Sequence, residues 1–68
     1  MNKLELKAMV IRKGYDYKTL CEKINIPYDT LMSAISRDKV TFEQARAISD
    51  FLELSADEIK NIFFNGIK

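Results

Sequence analysis

The stretch DYKTLCEKINIPYDTLMSAIS, Asp16 to Ser36, decides how this chain folds. Asp16 is a good N-cap, because its carboxylate can accept a hydrogen bond from an otherwise unpaired amide in the first turn of a helix. The helix it opens should cover about Tyr17 to Ile24, with Leu20 and Ile24 one turn apart and facing a core. Asn25 follows as the residue that, after glycine, most readily takes a positive φ, so the chain can turn sharply there. Pro27 suits the start of a second helix, since its missing N–H is no loss in a first turn, and Leu31 and Ala34 return that helix to the core before it ends near Ser36. Two short helices joined by a turn of about three residues form a helix-turn-helix arrangement. Cys21 supplies the small side chain needed where the two helices cross.

Outward from this pair, apolar residues keep helical spacing, as in Leu6, Met9 and Val10 on one side and Ala45, Ile48 and Leu52 on the other. A first helix should run from about Lys3 to Lys13 and stop at Gly14, which can take the left-handed conformation at a helix end. Arg37, Asp38 and Lys39 read as a polar connection. Thr41 with Gln44, and Ser55 with Glu58, are capping-box patterns. They predict a fourth helix over about Phe42 to Leu52 and a fifth over about Ala56 to Phe64, ended by Asn65 and Gly66. With no repeat and no Gly- or Ser-rich linker, residues 1–68 read as one all-α domain, a compact five-helix bundle.

Composition narrows the chemistry. The chain has no histidine and one cysteine, Cys21, so it offers neither an internal disulfide nor a soft-ligand cluster, and no metal or cofactor is expected. An enzyme is not expected either: there is no histidine, no Gly-rich phosphate loop and no scaffold large enough for a cleft. Cys21 reads as a small core residue. No run of about 18 apolar residues exists to span a membrane. The mixture of Lys3, Glu5, Lys7, Arg12 and Lys13 with apolar residues is unlike a signal peptide, so a cytoplasmic location is expected. The net charge of +1 hides an asymmetry: residues 1–46 hold nine Lys and Arg against six Asp and Glu, and residues 47–68 hold two against four. A basic front is compatible with an anionic partner.

Several short strings of sequence sit together in a familiar order. Arg12-Lys13-Gly14-Tyr15-Asp16 leaves the first helix, Leu20-Cys21 and Asn25-Ile26 mark the pair and its turn, and Thr30-Leu31 and Phe51-Leu52-Glu53-Leu54-Ser55 follow. Over nearly its whole length the chain thereby resembles the phage repressor and Cro-like helix-turn-helix family, also called the xenobiotic-response-element family. Leu20-Cys21 stands at that family's Leu-Ala, and Asn25-Ile26 at its Gly followed by an apolar residue. Leu4-Glu5-Leu6-Lys7-Ala8-Met9 and Ile62-Phe63-Phe64 look, more narrowly, like small phage-derived repressors of low-GC Gram-positive bacteria. The resemblance implies a lambda-repressor-like fold. It also implies a transcriptional regulator that binds double-stranded operator DNA in a sequence-specific way.

In that family the second helix of the motif enters the major groove by its N-terminal end, while the first crosses the backbone. By position, Tyr28, Asp29, Met32 and Ser33 would read bases. Asp29 can accept from a cytosine or adenine amino group, Ser33 can donate or accept, Tyr28 can donate, and Met32 can touch a thymine methyl. No Arg, Gln or Asn stands among them. Phosphate contacts would fall to Tyr17 and Lys18 before the recognition helix and to Arg37, Lys39 and Thr41 after it. Arg37-Asp38 stands where such proteins often have Asn-Gly. Many members also pair an Arg late in the first helix with a Glu late in the third, and here Val10 and Ile35 hold those places. Packed aliphatics commonly replace a buried ion pair without loss, so Val10 is expected to pack on Ile35.

Two further expectations concern partners. Ile59, Ile62 and Phe63 should close the core. Phe64, rotated by about 100° from Phe63, could join Ile67 in a self-complementary patch for a homodimer, or fold back over Leu4 or Leu6. A rival to DNA binding is a protein-interaction module of the same fold, an antitoxin or anti-regulator. The lack of strong base readers favours it, and the flanking Lys18, Arg37 and Lys39 oppose it.

Overall fold

A computed structural model describes residues 1–64 of the chain. It is all-helical and compact, with α1 (Lys3–Arg12), α2 (Tyr17–Ile24), α3 (Tyr28–Ser36), α4 (Phe42–Leu52) and α5 (Ala56–Ile59), and no strand among the described residues. The last helix does not stay α-helical to Phe64: it widens into a π-helical stretch, Lys60–Phe64. Asn65, Gly66 and Ile67, expected to end that helix and to join its surface patch, lie outside the described residues.

The starts of the helices have local causes. Asp16 caps α2 by accepting from the Thr19 amide at 2.7 Å. Thr41 and Gln44 exchange two hydrogen bonds of 3.0 Å at the start of α4, and Ser55 and Glu58 exchange bonds of 2.8 and 3.2 Å at the start of α5. Asn2 caps α1 by accepting from the Glu5 amide at 3.0 Å, a role its sequence position alone did not announce. Only α3, which follows Pro27, has no side-chain cap.

The stops also follow from backbone chemistry. Gly14 has φ 94° and Asn25 has φ 61°, as their residue types predict. A Cβ on Gly14 would meet nothing within 4 Å, so glycine supplies conformation there and not space. Asp38 at φ 58° and Glu53 at φ 54° also turn left-handed, closing α3 and α4 without glycine.

Leu6, Leu20, Leu31, Ile48 and Ile62, one from each of the four long helices and one from the π-helical stretch, are wholly buried. Met9, Val10, Cys21, Ile35 and Leu52 complete the cluster, and Val10 and Ile35 are 1% and 7% exposed. Both places thus hold buried aliphatics in one core. Ile24 and Ala34, expected inside, are half-buried at its edge. The Tyr15 ring lies 4.9 Å from that of Phe51, fastening the α1–α2 connection to α4. The Asn2 amide donates to the Ile62 carbonyl at 2.7 Å, tying the start of α1 to the terminal helix. Ile59 and Phe63 are half-buried, and Phe64 is 54% exposed in a groove that it lines with Phe42. Among the described residues no helix is long and apolar enough to cross a membrane.

Candidate nucleic-acid interface

The packing of α3 determines what it can present. Leu31 and Ile35 go into the core, with Met32 and Ala34 half-buried on the flanks. The opposite side is polar and exposed: Asp29, Ser33 and Ser36, at i, i+4 and i+7, form a stripe bordered by Thr30 and Arg37. Tyr28 stands 48% exposed at the helix start. Three of the four candidate base readers, Tyr28, Asp29 and Ser33, are therefore open to solvent. Met32 packs against the core as well and contributes only at the flank. Thr30 and Ser36 belong to the outer face and were not singled out from sequence. The turn after Asn25 sets the rotation of α3, and periodicity inside so short a helix does not define it.

The two ends of α3 differ in their electrostatics. At its start, the amides of the first turn have no side-chain acceptor, so the positive end of the helix dipole is left open, with Asp29 as the acid in that turn. At its end, the Lys3 ammonium donates to the Ser36 carbonyl at 2.9 Å, placing a cation against the negative end of the dipole.

Cationic and hydroxyl groups flank both ends. Tyr17 and Lys18, at the start of α2, line a groove of about 290 Å³ together with Tyr28 of α3 and with Lys7, Val10 and Ile11 of α1. Asp16 is the acid of this groove. The Thr19 amide bonded to it holds its carboxyl below the ordinary range. Tyr17 is half-buried, and desolvation raises its phenol, so at neutral pH it is an uncharged O–H donor. On the far side, Arg37 and Lys39 are exposed, and the loop that carries them is fixed by the Lys39 amide donating to the Ala34 carbonyl at 2.7 Å. The Thr41 hydroxyl oxygen accepts from the Gln44 amide, so Thr41 caps α4 and has only its O–H left to donate.

Lys7 is the groove residue that sequence reading missed. With Leu4 and Ile11 it lies three and four residues apart on the solvent side of α1, and nothing in the spacing says which neighbouring helix that side adjoins. No family model, curated protein or solved structure matches the chain. The surface itself offers hydrogen bonding along α3 and positive charge beyond both of its ends.

Proposed function

We propose that the protein is a transcriptional regulator that binds double-stranded DNA sequence-specifically, a helix-turn-helix protein of the phage repressor and Cro-like kind, with α3 in the major groove and α2 across the backbone. The observation that carries this reading is the stripe Asp29–Ser33–Ser36 on a helix with an open positive end, flanked by Lys18 at one end and by Arg37 and Lys39 at the other. Polar groups on the helix would read base edges, while the flanking cations fix its register on phosphates. Tyr28 adds a phenol at the helix start.

Selection of sites from random duplexes tests the proposal. A consensus should emerge, and Asp29→Ala or Ser33→Ala should then cost about 1 to 3 kcal/mol on the selected site and much less on random DNA. Equal losses on both would remove these residues as readers. If no duplex is enriched, the reading fails in favour of a protein-interaction module.

A short recognition helix without bidentate readers gains from being doubled, and we propose that a second copy of this chain provides the doubling. Phe42 and Phe64, 77% and 54% exposed, border an apolar groove with Ala45, Ile59 and Phe63. Arg46 and Asp50, 3.6 Å apart, stand on the same rim. Opposite charges side by side make the patch self-complementary under a two-fold axis, since each copy's Arg46 can meet the other's Asp50. To engage successive half-sites, such a dimer would have to set its two recognition helices about 34 Å apart, one turn of DNA. Sedimentation should show a dimer, free or on DNA, that Phe64→Glu dissociates without unfolding. A wild-type protein monomeric in both states overturns the dimer and leaves the monomer reading intact.

A further inference from the structure

The outer face of α1 lies outside the buried core cluster. Leu6, Met9 and Val10 turn inward, whereas Leu4, Lys7 and Ile11 face solvent. Yet Lys7 and Ile11 are not isolated, because they share a groove with Tyr17 and Lys18 of α2 and Tyr28 of α3. Neither the Lys7 nor the Lys18 ammonium is paired with a carboxylate among the described residues. Asp16, the one acid of the groove, has a carboxylate oxygen occupied by the Thr19 amide, and the two lysines leave the lining net positive. The Tyr17 and Tyr28 phenols can donate to an anion without carrying charge, and Val10 and Ile11 form an apolar wall that weakens screening by water.

We infer that this groove seats a phosphate of the DNA backbone, with Lys7 and Lys18 as its two cations, so that α1 lies along the duplex together with α2 and α3. The inference rests on the DNA reading proposed above and extends it to an element that the motif does not include. It also gives the pair of tyrosines a shared task. A phosphate diester held between Lys7 and Lys18 brings the start of α3, with its open amides, toward the adjacent groove edge.

The salt dependence of binding to a random-sequence duplex tests it. Each cation on a phosphate contributes about 0.9 to the slope of log affinity against log salt, so Lys7→Ala should flatten the slope by about 0.9 for each bound copy. It should weaken binding to selected and random DNA alike. Lys7→Arg should restore the slope. Lys23→Ala, which removes an exposed lysine on α2 that does not line the groove, should leave it unchanged. A Lys7→Ala slope equal to wild type, with Lys18→Ala still flattening it, overturns the role of Lys7 and spares the DNA reading. Absence of salt-dependent duplex binding in the wild-type protein overturns both.

Discussion

The starts of α4 and α5 are built on the opposite plan from the start of α3. At Thr41–Gln44 and Ser55–Glu58, side chain and backbone exchange two hydrogen bonds each, and orphan amides of the first turn find partners within the chain. At Pro27 the chain supplies a residue with no N–H and no polar side chain, and the amides that follow receive no side-chain cap. A helix capped from within can hold itself in place. One left open depends on its core contacts. In α3 the dependence falls on Leu31 and Ile35, each buried side chain contributing about 1.5 to 3 kcal/mol.

The comparison can be broken most forcefully at Ile35. Ile35→Glu places an unpaired carboxylate in the core of a helix with no cap to fall back on and should cost about 3 to 5 kcal/mol in urea unfolding. Adding Val10→Arg should recover much of that loss by restoring a pair. Losses that simply add would mean that the two side chains do not meet.

A smaller change sharpens the contrast between the two kinds of start. Thr41→Ala should cost about 1 kcal/mol, because α4 relies on its box. Pro27→Asp should change stability by less than about 0.5 kcal/mol, since the gained cap is offset by the lost stiffness of proline in the unfolded chain. The same substitution should nevertheless weaken duplex binding several-fold by occupying the open amides and adding a negative charge. Wild-type affinity in Pro27→Asp would show that the open start takes no part in binding.

The smallest effect is one of pH. Amide hydrogen bonds from Thr19 and Ser55 hold the carboxyls of Asp16 and Glu58 below their ordinary values. Both groups release protons more readily in the folded chain than in the unfolded one, so their stabilisation is complete above the unfolded values, about pH 4, and is lost as pH falls through the lower folded ones. The urea midpoint should decline over that acid range, and Asp16→Asn, which keeps a capping oxygen without a proton to bind, should lessen the decline. An Asp16→Asn midpoint that falls as steeply as wild type would place the pH dependence elsewhere.

Which parts of this molecule were legible beforehand follows the same division. Asp16, Thr41 with Gln44, and Ser55 with Glu58 announce helix starts because the chemistry lies within four consecutive residues, and Gly14 and Asn25 announce stops because few residue types take positive φ. Asp38 and Glu53 hide theirs, since a charged residue in the left-handed region is held there by the surrounding fold. The widening of Lys60–Phe64 was likewise hidden: apolar spacing around Ile62 fits an α-helix as well as a π-helix. For the candidate site, α3 gave up Tyr28, Asp29 and Ser33 by position. Lys7 stayed out of view because its neighbours Tyr17, Lys18 and Tyr28 become neighbours only when three helices are assembled.

The hydrogen bond from the Asn2 amide to the Ile62 carbonyl also orders events in time. It joins positions sixty residues apart, whereas the other backbone bonds outside the helices among the described residues span five residues or fewer. Helical turns and their connections can form early, since they close short loops, but this seam must wait until the intervening chain has collapsed. Its loop-closure cost is accordingly the largest among these bonds. Once it parts, α1 keeps only its core contacts and the Lys3 bond to Ser36, and the terminal helix loses its backbone tie to the start of the chain.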